Sequence, residues 1–223
     1  MNVAEFIVSV LEDAGVEYLV GVPGSALEDI NNALEGSGLK IIVASHEQGA
    51  AFIAGEIARN TGKPAGVFCT SGPAHGNVIA GTENLLKESL PVIILGGHTS
   101  LAATGRMCAQ ENGAGKVFAD WVQAFSHVAK SSRLIVNEHA VEYIVKDSIS
   151  EAVSGIPGPV FLACPVDIMK KEIPYTPAKF VLPDIQKGFD PTGMEEVVEL
   201  LQKKKPAMIW AGYDCKIFKA HDK

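Results

Sequence analysis

The stretch Ile41-Ile42-Val43-Ala44-Ser45-His46-Glu47-Gln48-Gly49-Ala50-Ala51 decides the fold. Ile41 to Ala44 is a short apolar run of strand length, and it passes straight into a helix start. Ser45 stands where an N-cap belongs. Gln48 follows three residues later, which is the spacing of a capping box. Glu47 then falls in the first helical turn, at the carboxyl end of a strand. In an open parallel sheet that end is where ligands bind. Its carboxylate has two readings: a complement to the helix dipole, or an acid that works on a bound group.

Working outward, strand and helix signals alternate. Asn2 and Glu5 are spaced as a capping box for a helix carrying Phe6, Ile7, Val10, Leu11 and Ala14, which Gly15 stops. Tyr18 to Val22 reads as a strand broken by Pro23-Gly24, and Ser25 to Glu28 as a capping box opening the next helix, which ends near Gly36 and Gly38. Lys40 to Ala44 is the second strand and 46–60 its helix. That helix is rich in small residues (Gly49, Ala50, Ala51, Ala54, Gly55, Ala58), which suits close packing on a sheet. Ala65 to Cys69 is the third strand. Thr70 to Asn77 is a polar, glycine-rich turn leading into a helix through Leu86. Pro91 to Leu95 is an apolar strand closed by Gly96-Gly97-His98. A polar loop runs from Thr104 to Gly115. Residues 116–125 read as helix, 126–130 as a weak strand, 139–153 as helix, and Val160 to Ala163 as a strand.

Six strands alternating with helices predict an α/β three-layer sandwich, with a six-stranded parallel sheet covered on both faces. The turns at 22–25, 45–48 and 70–77 should converge at its carboxyl end. The expected organisation is a domain over 1–166 and an extended proline-bearing linker over 167–191. An incomplete second unit follows over 192–223, with Thr192 and Glu195 capping a helix and Pro206 to Trp210 as a strand.

Composition narrows the function. The chain has 223 residues, 47% of them hydrophobic, and a net charge of -7. It carries no basic footprint for nucleic acid. Cys69, Cys108, Cys164 and Cys215 are far apart, which suits reduced thiols rather than ligands or a disulfide framework. With no leader-like N-terminus and no spanning segment, the expectation is a cytoplasmic protein free of membrane. The turn Gly21-Val22-Pro23-Gly24-Ser25 lacks the dinucleotide fingerprint, so a nicotinamide-binding sheet is disfavoured. His46, His75 and His98 have no helically spaced metal-ligand partner, and no metal site is expected.

The motifs are more specific in combination. Val20 to Gly24, Ser45 to Ala51, Ala58 to Pro64, Thr70 to Pro73 with Asn77, and Glu88 to Val92 occur in that order, followed by Gln110-Glu111 and Gly155 to Val160. Over residues 2–170 the chain resembles the N-terminal pyrimidine-binding domain of thiamine diphosphate-dependent enzymes, of the acetolactate synthase and 2-oxo acid decarboxylase type. The resemblance implies that Glu47 hydrogen-bonds the pyrimidine N1′ of the cofactor and so activates it. It implies that Pro23, Gly24, Ser25, Thr70, Ser71, Gly72 and Pro73 wall the pyrimidine pocket, and that Asn77 lies beside the cofactor. His75, His98 and Gln110 would lie near a small 2-oxo acid. The chain departs from the family at Ala74, His75, His98 and Ser45, which bears on substrate identity.

The resemblance also implies what lies elsewhere. In the family a separate domain with a Gly-Asp-Gly…Asn motif holds the diphosphate and Mg2+, and this sequence has no Gly-Asp-Gly. The expectation is therefore half a site, completed in a homodimer or by a diphosphate-binding subunit, and a chain that does not catalyse alone. The central domain, where some relatives bind FAD, is too incomplete to read. The alternative is a non-catalytic dimerising scaffold or a truncated fragment.

Overall fold

The computed structural model describes residues 1–111, 120–183 and 191–203, with Trp210 and Gly212. Residues Met1–Pro183 form one compact unit. Its six strands are β1 (Tyr18–Gly21), β2 (Lys40–Val43), β3 (Ala65–Cys69), β4 (Val92–His98), β5 (Ser131–Leu134) and β6 (Val160–Pro165). They form a single sheet in the order β2-β1-β3-β4-β6-β5, every neighbouring pair parallel. The central strands β3, β4 and β6 are buried along their whole length, as a sheet covered on both faces requires.

Two apolar cores lie on the two faces. One gathers Phe6, Ile7 and Leu11 of α1 (Val3–Asp13), Ile30 and Leu34 of α2 (Glu28–Leu34), and Val145 and Ile149 of α6 (Val141–Val153). The other gathers the alanines of α3 (Glu47–Thr61), Val78 and Leu85 of α4 (Pro73–Lys87), and Phe125 of α5 (Trp121–Phe125), whose ring stacks on Phe161 at 3.9 Å. The three-layer α/β architecture read from the sequence is therefore present.

The chain leaves β1 through α2 on one face and β2 through α3 on the other. β2 and β3 flank β1 on opposite sides. The strand order thus reverses between β1 and β3, which opens a crevice at the carboxyl end of the sheet.

α3 and α4 pack closely because their contact faces are small. A Cβ on Gly81 would lie 2.5 Å from the Ala51 Cβ, and one on Gly55 would lie 2.6 Å from Leu85 Cδ2. At their C-terminal ends, Arg59 pairs with Glu88 as well as with Glu56. The Asn2–Glu5 capping box forms as read, and Gly15 and Gly62 adopt positive φ where α1 and α3 end.

Several expectations are corrected. The cap of α3 is His46, whose Nδ1 accepts the Gln48 N–H at 3.2 Å, so the helix starts at Glu47, one residue later than expected. Ser45 is exposed and outside the helix. Ser25 to Leu27 is a 3-10 turn preceded by Gly24 without a side-chain cap, so no capping box forms with Glu28. β4 continues through Gly96, Gly97 and His98. The weak strand expected at 126–130 is turn, and β5 instead spans Ser131–Leu134.

After β6 the chain forms a short helix, α7 (Val166–Met169), and runs on with Ile173 and Phe180 buried. In the second unit α8 spans Pro191–Lys203, starting one residue before Thr192, and exposes Met194, Val197, Val198, Leu200 and Leu201. Residues 206–209 of the strand expected at 206–210 and Cys215 lie outside the described residues, as do 116–119 of the expected 116–125 helix; Trp210 is described and exposed. No helix among the described residues is long and apolar enough to cross a membrane.

Candidate functional site

The turns after β1 and β3 meet at the crevice. A Cβ on Gly24 would lie 2.4 Å from the Thr70 Cβ and 2.5 Å from its Oγ1, so these backbones approach as only glycine allows. Pro23 and Ser25 flank this contact and are exposed. Ser71 is buried, and its hydroxyl donates to Gln110 Oε1 at 3.2 Å. Gly72 has φ +68, a left-handed conformation that suits glycine, and a Cβ there would lie 2.9 Å from the Gln110 Cβ. Pro73 then opens α4 at its first residue, where a missing N–H costs nothing.

Glu47 is the first residue of α3 and is only 8% exposed. The Asn77 side-chain amide donates to Glu47 Oε2 at 2.9 Å. Asn77 stands one turn into α4, so the close α3–α4 packing is what brings the pair together. Burial, and after it the Glu47 charge, hold the neighbouring Cys69 thiol above its ordinary range. A buried carboxylate oriented by a neutral amide can share a proton with a heteroaromatic nitrogen.

The remaining expected residues fall into two groups. Gln110 adopts φ 57 and reaches the Thr70–Pro73 turn through Ser71. His75 and His98 both line a cavity beside Trp121 and Phe161. His75 is fully buried, with its ring edge-on to Trp121, Phe125 and Phe161. Burial, and then the neighbouring His98, pull its imidazole from 6.5 down to about 3.

A titration consequence follows from that burial. The unfolded chain binds a proton at His75 from about pH 6.5 downward, and the folded chain only near pH 3. Folding stability should be intact above about pH 6.5 and fall as pH drops toward 3. The slope from this site is at most about 1.4 kcal/mol per pH unit. Denaturant melts across this range should show a shallower slope in a His75→Phe variant. A ring that titrates near 6.5 by NMR would contradict the assignment.

Two acidic residues were given no role by the sequence reading. Glu111 is buried and accepts the N–H groups of Gly105 and Cys108, pinning the loop that carries Gln110. Asp167 accepts the Leu101 and Ala102 N–H groups at 3.0 and 3.2 Å, tying the turn after β4 to the end of β6. Neither lies in a periodic pattern; Glu111 was marked only as part of the Gln110-Glu111 motif, and Asp167 carried no signal. No group of three His, Cys, Asp or Glu among the described residues is placed to hold a metal.

Comparison with known proteins bears on this site. A family model described as "Thiamine pyrophosphate enzyme, N-terminal TPP binding domain" matches residues 1–120. The chain is 29% identical over 218 residues to the chloroplastic acetolactate synthase of Arabidopsis thaliana, covering 95% of this chain and 32% of the relative. It is 31% identical over 212 residues to the acetolactate synthase isozyme 2 large subunit of Escherichia coli, covering 95% and 37%. It is 34% identical over 166 residues to the catabolic acetolactate synthase of Raoultella terrigena, covering 74% and 28%. The chain therefore spans about a third of the length of these curated relatives. With more than half of its residues matched by the family model, this chain belongs to the thiamine pyrophosphate enzyme N-terminal domain family.

Proposed function

We propose that this chain is the pyrimidine-binding half of a thiamine diphosphate-dependent, acetolactate synthase-like enzyme acting on a 2-oxo acid. The observation that carries the reading is the buried Glu47 carboxylate held by the Asn77 amide at the β1/β3 crevice. Gly24, Thr70, Ser71, Gly72 and Pro73, with Pro23 and Ser25 at the rim, wall the pyrimidine. Glu47 holds the proton shared with its ring nitrogen. Asn77 fixes the orientation of that carboxylate, and Ser71 fixes Gln110 toward the substrate side. When bound, thiamine diphosphate supplies a nucleophilic carbon that stores the electron pair left by decarboxylation. The diphosphate and Mg2+ are held by a complementary domain, on a second copy of a longer chain or on a separate subunit. This accords with relatives roughly three times as long.

Calorimetry with thiamine diphosphate and Mg2+, with and without a diphosphate-binding partner, tests this reading. Binding that requires the partner, together with 2-oxo acid turnover, is the expected result. Binding under neither condition would make the sheet a scaffold. In the assembled enzyme, Asn77→Ala should raise the cofactor concentration for half-maximal activity roughly tenfold, the scale of one hydrogen bond to a charged group. An unchanged value would remove Asn77 from the site.

A further inference from the structure

α4 separates two environments. Asn77 turns toward Glu47 on α3, while His75, about 200° round the helix, turns toward Trp121 and Phe125 of α5. On that second side lies a cavity of about 310 Å³. Its floor is His75, Phe161 and Ala163, all essentially buried. Trp121 forms a wall, His98 stands at the end of β4, and Thr104 and Asp120 reach the rim, where they are exposed. Protein interiors hold few voids larger than a water molecule. A recess of this size, largely apolar with a few convergent polar groups, has the character of a small-molecule site. Gly96 in β4 makes room for it. A Cβ there would lie 2.4 Å from the Phe161 ring and 2.6 Å from His75 Nε2.

The chemistry of the lining selects the ligand. Among the described lining residues Asp120 alone carries a permanent charge, and it is negative. Its carboxylate already caps α5 by accepting the Gln123 N–H at 3.0 Å. The His75 ring is held neutral by burial. His98 Nδ1 donates to the Thr99 carbonyl at 2.7 Å, which leaves Nε2 as its second polar atom. A carboxylate entering here would lose water, meet Asp120 and find no fixed cation among the described lining residues. A hydroxyl would find imidazole and threonine partners, and an aromatic body would find Trp121 and Phe161.

We propose that the His75–His98 cavity is a second small-molecule site. It takes an uncharged ligand with an aromatic or branched aliphatic body and a hydroxyl head, and it is separate from the Glu47–Asn77 site. Substrates bearing a carboxylate, 2-oxo acids included, are excluded from it. The proposal does not depend on the thiamine reading.

The test uses the full chain carrying Trp210→Phe, which leaves Trp121 as the only tryptophan. Benzyl alcohol, benzoate and pyruvate are titrated while Trp121 fluorescence is recorded. Benzyl alcohol should give a saturable change, with benzoate and pyruvate weaker by on the order of tenfold or more. Ala163→Leu fills the floor and should abolish the response. Because that variant can fail to fold, the imidazole resonances of His75 and His98 are also followed by NMR in the unsubstituted chain. They should shift with benzyl alcohol while His46 stays put. No saturable response at Trp121 or either imidazole, a response unchanged in folded Ala163→Leu, or benzoate binding as well as benzyl alcohol would each overturn the proposal.

Discussion

Glu47→Gln in the assembled enzyme is expected to lower turnover about a hundredfold or more, the scale of a lost acid–base partner. The thermal transition of this chain should stay close to wild type. Glutamine keeps the size of the side chain and can still accept the Asn77 amide hydrogen bond through its carbonyl oxygen. The α3–α4 contact therefore survives. What glutamine cannot do is share a proton with the pyrimidine nitrogen. Cofactor affinity should change far less than turnover, because the walls at Gly24, Thr70 and Gly72 are untouched. Steady-state assays and calorimetry on the same preparation separate the two effects. Activity near wild type would reduce Glu47 to a first-turn carboxylate.

Gly81→Leu should give the largest loss of stability, about 1–3 kcal/mol as for other overpacked cores. That corresponds to a fall of several degrees in Tm for a domain of this size. A Cβ at Gly81 would already press on the Ala51 Cβ at 2.5 Å and on the Gln48 carbonyl oxygen at 3.2 Å. Neither can swing away as a long side chain can. The only relief is to wedge α3 from α4. The same wedge separates Glu47 from Asn77, since one lies on each helix. Cofactor binding by the assembled enzyme should therefore weaken along with stability. Gly55→Ala is the contrast. Its Cβ would meet Leu85 Cδ2, the end of a flexible side chain, and the cost should be smaller. Equal stability of Gly81→Leu and wild type, by thermal melts, would contradict the packing account.

The alternation of strands and helices was legible because each central strand is an apolar run bounded by glycine or proline. Three details were not. The α3 cap moved from Ser45 to His46, since an imidazole nitrogen accepts the Gln48 N–H as well as a hydroxyl would. Gly96 and Gly97 read as a stop, yet they sit inside β4, where Phe161, His75 and Ala26 approach too closely for a side chain. β5 lies at the margin of the sheet and is only half-buried, so Ser131 to Leu134 carry no apolar signature.

The candidate site divides the same way. Glu47 stood out by its place at a helix start, but its proposed role, and that of the Pro23–Ser25 and Thr70–Pro73 turns, came only with the motif resemblance. The Glu47–Asn77 bond was not legible, because it joins residues 30 positions apart through a helix–helix contact. Nor was the separation of His75 from Asn77, two residues apart on one helix yet facing different neighbours.

The central claim is that Glu47 and Asn77 meet the cofactor's pyrimidine. The measurement closest to it is NMR of the complex assembled with a diphosphate-binding partner, with this chain labelled at side-chain carboxyls and amides. Spectra are recorded before and after thiamine diphosphate and Mg2+, with binding confirmed by calorimetry. The account predicts that the Glu47 carboxyl and the Asn77 amide give large shifts on binding. If the cofactor binds while both resonances stay where they were, the account is wrong.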